Sequence, residues 1–126
     1  MSISQPPISA RKLILLVVED DAELREELKG LLEQDGYRVL LADDGQAALA
    51  VLSQLQPHLI LLDLMMPVVS GWEVLAAIDQ SPALSSIPVV VMSAYADQAP
   101  RDLAHVLRKP FSREELLQII RKHCGG

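Results

Sequence analysis

Leu59-Ile60-Leu61-Leu62 runs without polar alternation and stops on Asp63, and Lys12 to Val18 (KLILLVV) stops on Glu19-Asp20-Asp21. Ile87 to Met92 (IPVVVM) closes on Ser93, and His105 to Arg108 leads into Lys109-Pro110. Three carboxylates in one cleft repel: two unit charges about 4 Å apart interact by roughly 4 kcal/mol at an effective dielectric near 20. Lys109 supplies one compensating charge, and a hard divalent cation with oxygen ligands, Mg2+ by preference, supplies two more. A carboxylate nucleophile, a metal, a lysine and a hydroxyl form a receptacle for a transferred phosphoryl group. Asp63 is the centre of this arrangement. An acid directly after four aliphatic residues is costly inside a strand and useful at its carboxyl end.

Taken singly, most of these residues have a plainer role. Asp20 or Asp21 can cap the following helix, Lys109 can be a solvated lysine, and Ser93 a turn residue. His58, His105 and His123 lack the spacing of a metal site, and Cys124 reads as inert. Asp43-Asp44-Gly45 reads as a turn and Trp72 as local packing at a helix start.

Elements that position these residues follow from the apolar pattern. Unalternated aliphatic runs are strands buried on both faces. A helix is expected from Ala22 to about Gln34, with Leu24, Leu28, Leu31 and Leu32 on its apolar stripe and Glu23, Arg25, Glu26 and Lys29 on its wet side. Tyr37 to Ala42 is the second strand. Gln46 to Gln56 reads as a helix buried through Ala47, Leu49, Ala50, Leu52 and Leu55, stopped by Pro57. Trp72 to Asp79 is a short helix, and Pro100 breaks or opens whatever lies between Ala94 and Ala104. Ser112 with Glu115 is a capping box opening a last helix to about His123. Strands alternating with helices imply a parallel sheet with helices on both faces, and ligands bind at the carboxyl edge of such sheets.

The 126 residues suffice for one domain, and 50% hydrophobic content with only 3% aromatic suits aliphatic helices on a parallel sheet. A formal net charge of -6 argues against direct nucleic-acid binding. One cysteine excludes an internal disulfide and favours a reducing compartment. No signal peptide and no apolar run of membrane-spanning length is present, so a cytoplasmic chain without membrane insertion is expected. Residues 1–11 read as a flexible leader, 12–124 as the domain and 125–126 as a tail.

VVEDD at 17–21, LLDLMMPVVSG at 61–71, VVMSA at 90–94 and RKPF at 108–111 together resemble the CheY-like response-regulator receiver domain of two-component signalling, over about residues 12 to 123. The resemblance implies a flavodoxin-like, doubly wound five-stranded parallel sheet of order 2-1-3-4-5. It makes Asp63 the phosphoacceptor, taking its phosphoryl group from a histidine kinase or phosphotransfer protein and losing it by slow autodephosphorylation. Asp20 would ligate Mg2+ directly, Glu19 directly or through water, and the Met65 carbonyl would complete the protein ligands beside Asp63. Lys109 would pair with a phosphoryl oxygen, its bond to Pro110 would be cis, and Leu64, Met65 and Ala94 would hold the phosphoryl oxygens. Ser93 would be the switch hydroxyl.

Two departures from the family bear on output. Between Ser93 and Lys109 the chain is about six residues short, more than one turn at roughly 3.6 residues per turn, so the family's fourth helix is expected short or missing. Val106 stands where a Tyr or Phe usually couples to the switch hydroxyl. Met65 and Tyr95 are expected to flank the phosphoryl group and set its lifetime. Output is expected through altered contacts with a downstream protein, including a dimer formed on phosphorylation. A phosphorylation-independent scaffold is the main rival. An aspartyl-nucleophile phosphatase is disfavoured, because Met65 stands where those enzymes carry a second acid.

Overall fold

Leu15 and Val17 join one cluster of buried side chains, and Leu16 and Val18 join another. The first apolar run is therefore buried on both sides, as its lack of alternation predicts. The structure, a computed structural model, describes residues 13–66, 69–94 and 105–124. Its elements in chain order are β1 (Ile14–Val18), α1 (Ala22–Gln34), β2 (Arg38–Ala42), α2 (Gly45–Leu52), β3 (Leu59–Asp63), α3 (Gly71–Asp79), β4 (Val89–Ser93), β5 (Val106–Arg108) and α4 (Arg113–Cys124). All strand pairs are parallel and the order is β2-β1-β3-β4-β5. This is the flavodoxin-like sheet, with its switch point between β1 and β3.

Alternate strand residues sort onto two faces. Leu15, Val17, Leu59, Leu61, Val90 and Met92 pack with Leu28 and Leu32 of α1 and Leu116 and Ile120 of α4. Leu16, Val18, Ile60, Leu62, Val89 and Val91 pack with Ala48 and Leu52 of α2 and Val74 and Ile78 of α3. Short polar side chains start the helices. Asp21 accepts from the amides of Glu23 and Leu24, at 3.0 and 3.2 Å, Asp44 from Ala47 at 2.7 Å and Ser70 from Glu73 at 3.4 Å. The capping box at α4 forms in both directions: the Glu115 amide donates to Ser112 Oγ (3.1 Å) and the Ser112 amide to Glu115 Oε1 (3.4 Å).

Several expected boundaries and faces shift. Helix α2 ends at Leu52 rather than Gln56, and Ser53 caps it. Its buried positions are Gly45, Ala48 and Leu52, while Ala50 is exposed and Ala47, Leu49 and Leu55 are half-buried. A stretch apolar all round carries no stripe from which to read its inner face. Asp43-Asp44-Gly45 is accordingly a helix start. Trp72 is 38% exposed, because α3 buries the stripe Gly71, Val74 and Ile78 and leaves position 72 on the wet side. Strand β4 begins at Val89, two residues later than expected, and β5 at Val106. Lys12 and the leader, Tyr95, Pro100 and the expected shortening of the family's fourth helix lie outside the described residues. Among the described residues there are four helices, and none is long and apolar enough to cross a membrane.

Candidate functional site

Strand register brings the strand-end residues together. Val18 pairs with Leu62, so Glu19 and Asp63 stand side by side one step further on. Asp63 pairs with Met92 and Ser93 with Arg108; Lys109 follows, its amide donating to the Ser93 carbonyl at 2.9 Å. Period-two alternation puts Glu19, Asp63 and Lys109 at the ends of the series Leu15-Val17, Leu59-Leu61 and Leu107, all on the face covered by α1 and α4.

Glu19 is 1% exposed and Asp63 4%; with Ser93 they are the buried polar or charged residues of the described chain. Lys109 Nζ lies 2.6 Å from Glu19 Oε1 and 3.5 Å from Asp63 Oδ2. Asp63 Oδ1 accepts from the Met65 amide at 3.0 Å, and Glu19 Oε2 from the Asp21 amide at 3.1 Å. Asp20 is exposed, yet its carboxylate comes within 4.8 Å of those of Glu19 and Asp63. Among the described residues this is the one group of three potential metal ligands.

Burial pushes the Glu19 carboxyl up to about 7, against hydrogen bonds from Lys109 and the Asp21 amide that lower it; the charge of Asp63 adds to the rise. For Lys109, burial opposes the charged form, but the bond to Glu19 and the charges of Asp63 and Glu19 outweigh it and hold the ammonium above its ordinary value. One lysine therefore faces more acidic charge than it neutralises. The donors are all hard oxygens, as a divalent cation of the Mg2+ type requires, so the residues fit such an ion.

Lys109 divides itself between Glu19 and Asp63, with the shorter contact to Glu19. Its peptide bond to Pro110 is cis, as expected. Leu64 is buried and its amide lies 3.4 Å from the Met92 carbonyl oxygen, while Met65 is 53% exposed. Ala94 is exposed and Val106 half-buried. Asp21 takes the capping role that Asp20 shared with it as a possibility; Asp20 goes to the acidic cluster.

Three contributors were not legible as such. A Cβ on Gly71 would fall on the Asp63 carbonyl oxygen and 2.5 Å from Leu64 Cα, so α3 can start against the site only with glycine there. Gly45 is likewise seated on the backbone of Val69. Arg25, assigned to the wet side of α1, is half-buried and donates from Nη1 to the Glu19 carbonyl at 2.9 Å. An Arg on a polar helical face carries no sequence signal of that reach; the glycine contacts exist only once the loop folds back. Beside Lys109 a groove of about 360 Å³ is lined by Leu24, Glu27, Ala94, Lys109, Pro110 and Phe111. The rings of His105 and His123 lie 3.6 Å apart by centroid, at the opposite, amino-terminal edge of β5. Burial pushes the Cys124 thiol up to about 11, which suits its expected inertness.

A parallel sheet of this order with an acidic cluster and a lysine at its carboxyl edge defines a class of signalling domain, and known proteins of that class match. Residues 15–121 match the family model of the response regulator receiver domain. Protein PilG of Pseudomonas aeruginosa is 35% identical over 117 residues, covering 88% of this chain and 87% of that protein. Response regulator RR06 of Streptococcus pneumoniae serotype 2 is 39% identical over 113 residues, covering 85% of this chain and 51% of that protein. The chain thus spans about half the length of that relative. Among solved structures, the receiver domain of the Pseudomonas aeruginosa PAO1 sensor histidine kinase PA1611, with magnesium coordinated in its active site cleft, superposes with TM-score 0.84 at 28% identity, covering 91% of this chain and 99% of that one. Vibrio cholerae chemotaxis protein CheY4 superposes with TM-score 0.80 at 26% identity, covering 89% and 98%. The chain belongs to the response regulator receiver domain family of two-component systems.

Proposed function

We propose that this domain accepts a phosphoryl group on Asp63 from a phosphohistidine of a histidine kinase or phosphotransfer protein. The observation that carries the reading is the buried Asp63 carboxylate between Lys109 and the Glu19–Asp20 pair. A carboxylate oxygen of Asp63 attacks phosphorus as the P–N bond breaks, and the bonding electrons and a proton go to the leaving imidazole nitrogen. An acyl phosphate results, and water later cleaves its P–O bond to regenerate the carboxylate and release phosphate. Asp20, Glu19, Asp63 and the Met65 carbonyl would hold Mg2+, whose chemistry is to neutralise charge on the phosphoryl oxygens. Lys109 releases part of its hold on Asp63 to meet a phosphoryl oxygen, and Ser93, Leu64, Met65 and Ala94 surround that group. Met65, with its exposed side chain, limits access of water to it.

The groove beside Lys109 gives the donor protein a partly apolar seat next to the nucleophile. Output goes to a downstream protein by a face that Val106 cannot switch through a buried aromatic ring. A BeF3-/Mg2+ complex that dimerised through an ordinary fourth-helix face would contradict this part. Incubation with acetyl phosphate and Mg2+, followed by intact mass, tests the whole: wild type gains one phosphoryl group and Asp63→Asn none. No adduct with any donor would favour a phosphorylation-independent scaffold, and rapid multiple turnover a phosphatase.

A further inference from the structure

Arg25 turns back from the first turns of α1 towards the β1–α1 turn. Its Nη1 donates to the Glu19 carbonyl at 2.9 Å and reaches the Asp20 carbonyl at 3.5 Å. One guanidinium nitrogen thus reaches the backbone of both acids that stand beside Asp63, closely at Glu19 and at the outer limit of a hydrogen bond at Asp20. Other bonds on this turn fix its two ends. The Glu19 amide donates to the Ala42 carbonyl at 3.0 Å, and Asp21 is committed to capping α1. Asp20 sits between them, exposed, so the backbone rather than core packing aims its carboxylate.

We infer that Arg25 is a positioning residue: by holding the Glu19 and Asp20 carbonyls it sets the turn so that both carboxylates face Asp63, and so raises affinity for a divalent cation it does not touch. This rests on the proposed reading of the carboxylates as a cation site. Neutralisation is the lesser part of its role, since Lys109 already pairs directly with the carboxylates while Arg25 donates to carbonyls. A planar guanidinium can meet two acceptors in a fixed geometry; a lysine ammonium is a point charge on a flexible stem. Outer partners of metal ligands commonly change affinity by about 10–100-fold.

The test is calorimetric titration of Mn2+ into metal-free wild type, Arg25→Lys and Arg25→Ala, with Tm and amide exchange of residues 19–21 measured in EDTA. Both variants should bind Mn2+ about tenfold more weakly. The amides of Asp20 and Asp21 should exchange faster in EDTA, a readout independent of metal. Wild-type affinity in Arg25→Lys would reduce the role to charge and overturn the inference. Unchanged affinity in both variants with a lowered Tm would make Arg25 a structural tie only. Saturable binding absent from wild type itself would overturn the cation site and this role with it, a result distinct from variants that bind as wild type does.

Discussion

The two faces of the sheet are built from the same strands and end differently. On the face covered by α2 and α3, the series Ile60-Leu62 continues past the strand into Leu64 and Met66, still apolar and buried. On the face covered by α1 and α4, Leu59-Leu61 ends in Asp63, Leu15-Val17 in Glu19 and Leu107 in Lys109. Along β3, period two therefore separates chemistry from support within adjacent residues. On the α2/α3 face Leu16-Val18 leads to Asp20 and Val89-Val91 to Ser93, but the β3 series closes there with side chains that exclude water. On the α1/α4 face it opens with a charge that needs a partner.

Adjacent substitutions should break this comparison most sharply. Asp63→Asn should abolish phosphoryl acceptance with little loss of fold, whereas Leu62→Ala, fully buried on the other face, should cost about 2–5 kcal/mol of stability and still accept. Intact mass after acetyl phosphate and urea unfolding read the two effects separately. Acceptance lost in Leu62→Ala while it remains folded would show that the faces are not separable.

A smaller effect should follow from pH. Glu19 rises from an ordinary 4.5 to about 7, so between those values the folded state binds more protons than the unfolded one. Stability of the metal-free protein should therefore increase as pH falls from 7 to about 4.5. At about 1.4 kcal/mol per unit, Glu19 alone sets a ceiling of about 3 kcal/mol for that gain. Glu19→Gln should flatten the slope, as should saturating Mg2+. An identical slope in wild type and Glu19→Gln would remove the burial penalty from the account.

Gly71→Ala tests how the supporting face reaches the site. Its Cβ would meet Asp63 and Leu64 backbone, so a loss of about 1–3 kcal/mol is expected, with slower acceptance as Asp63 shifts. Gly30→Ala, with open space around its Cβ inside α1, should instead stabilise by roughly 0.5–1 kcal/mol. Equal effects at the two glycines would mean that the α3 start does not press on the site.

Much of this arrangement can be read before any coordinates. Runs such as Leu59 to Leu62 announce themselves because burial on both faces suppresses alternation, and the acids that end them mark the carboxyl edge. Ser112 with Glu115 acts through its own helix start, which is local chemistry; Asp44, expected in a turn, caps α2 by the same kind of bond, as Ser70 caps α3. Long-range contacts are less visible. Nothing in the spacing tells that Lys109 lies nearer Glu19 than Asp63, or that Arg25 reaches back across a turn. Ala47 to Leu52 is apolar on every side, so the pattern does not show where α2 ends, and Trp72, expected in local packing at the start of α3, stands exposed beside the buried stripe. The segment from Tyr95 to Ala104, where the family's fourth helix is expected short or missing, lies outside the described residues.

The most direct measurement traps the acyl phosphate and locates it. After acetyl phosphate and Mg2+, borohydride reduces an aspartyl phosphate to homoserine, and peptide mass mapping finds the changed residue. The account predicts the change at Asp63, with none in protein treated in EDTA. A change at Asp20 or Glu19, or a phosphoryl group retained on a histidine, would contradict it.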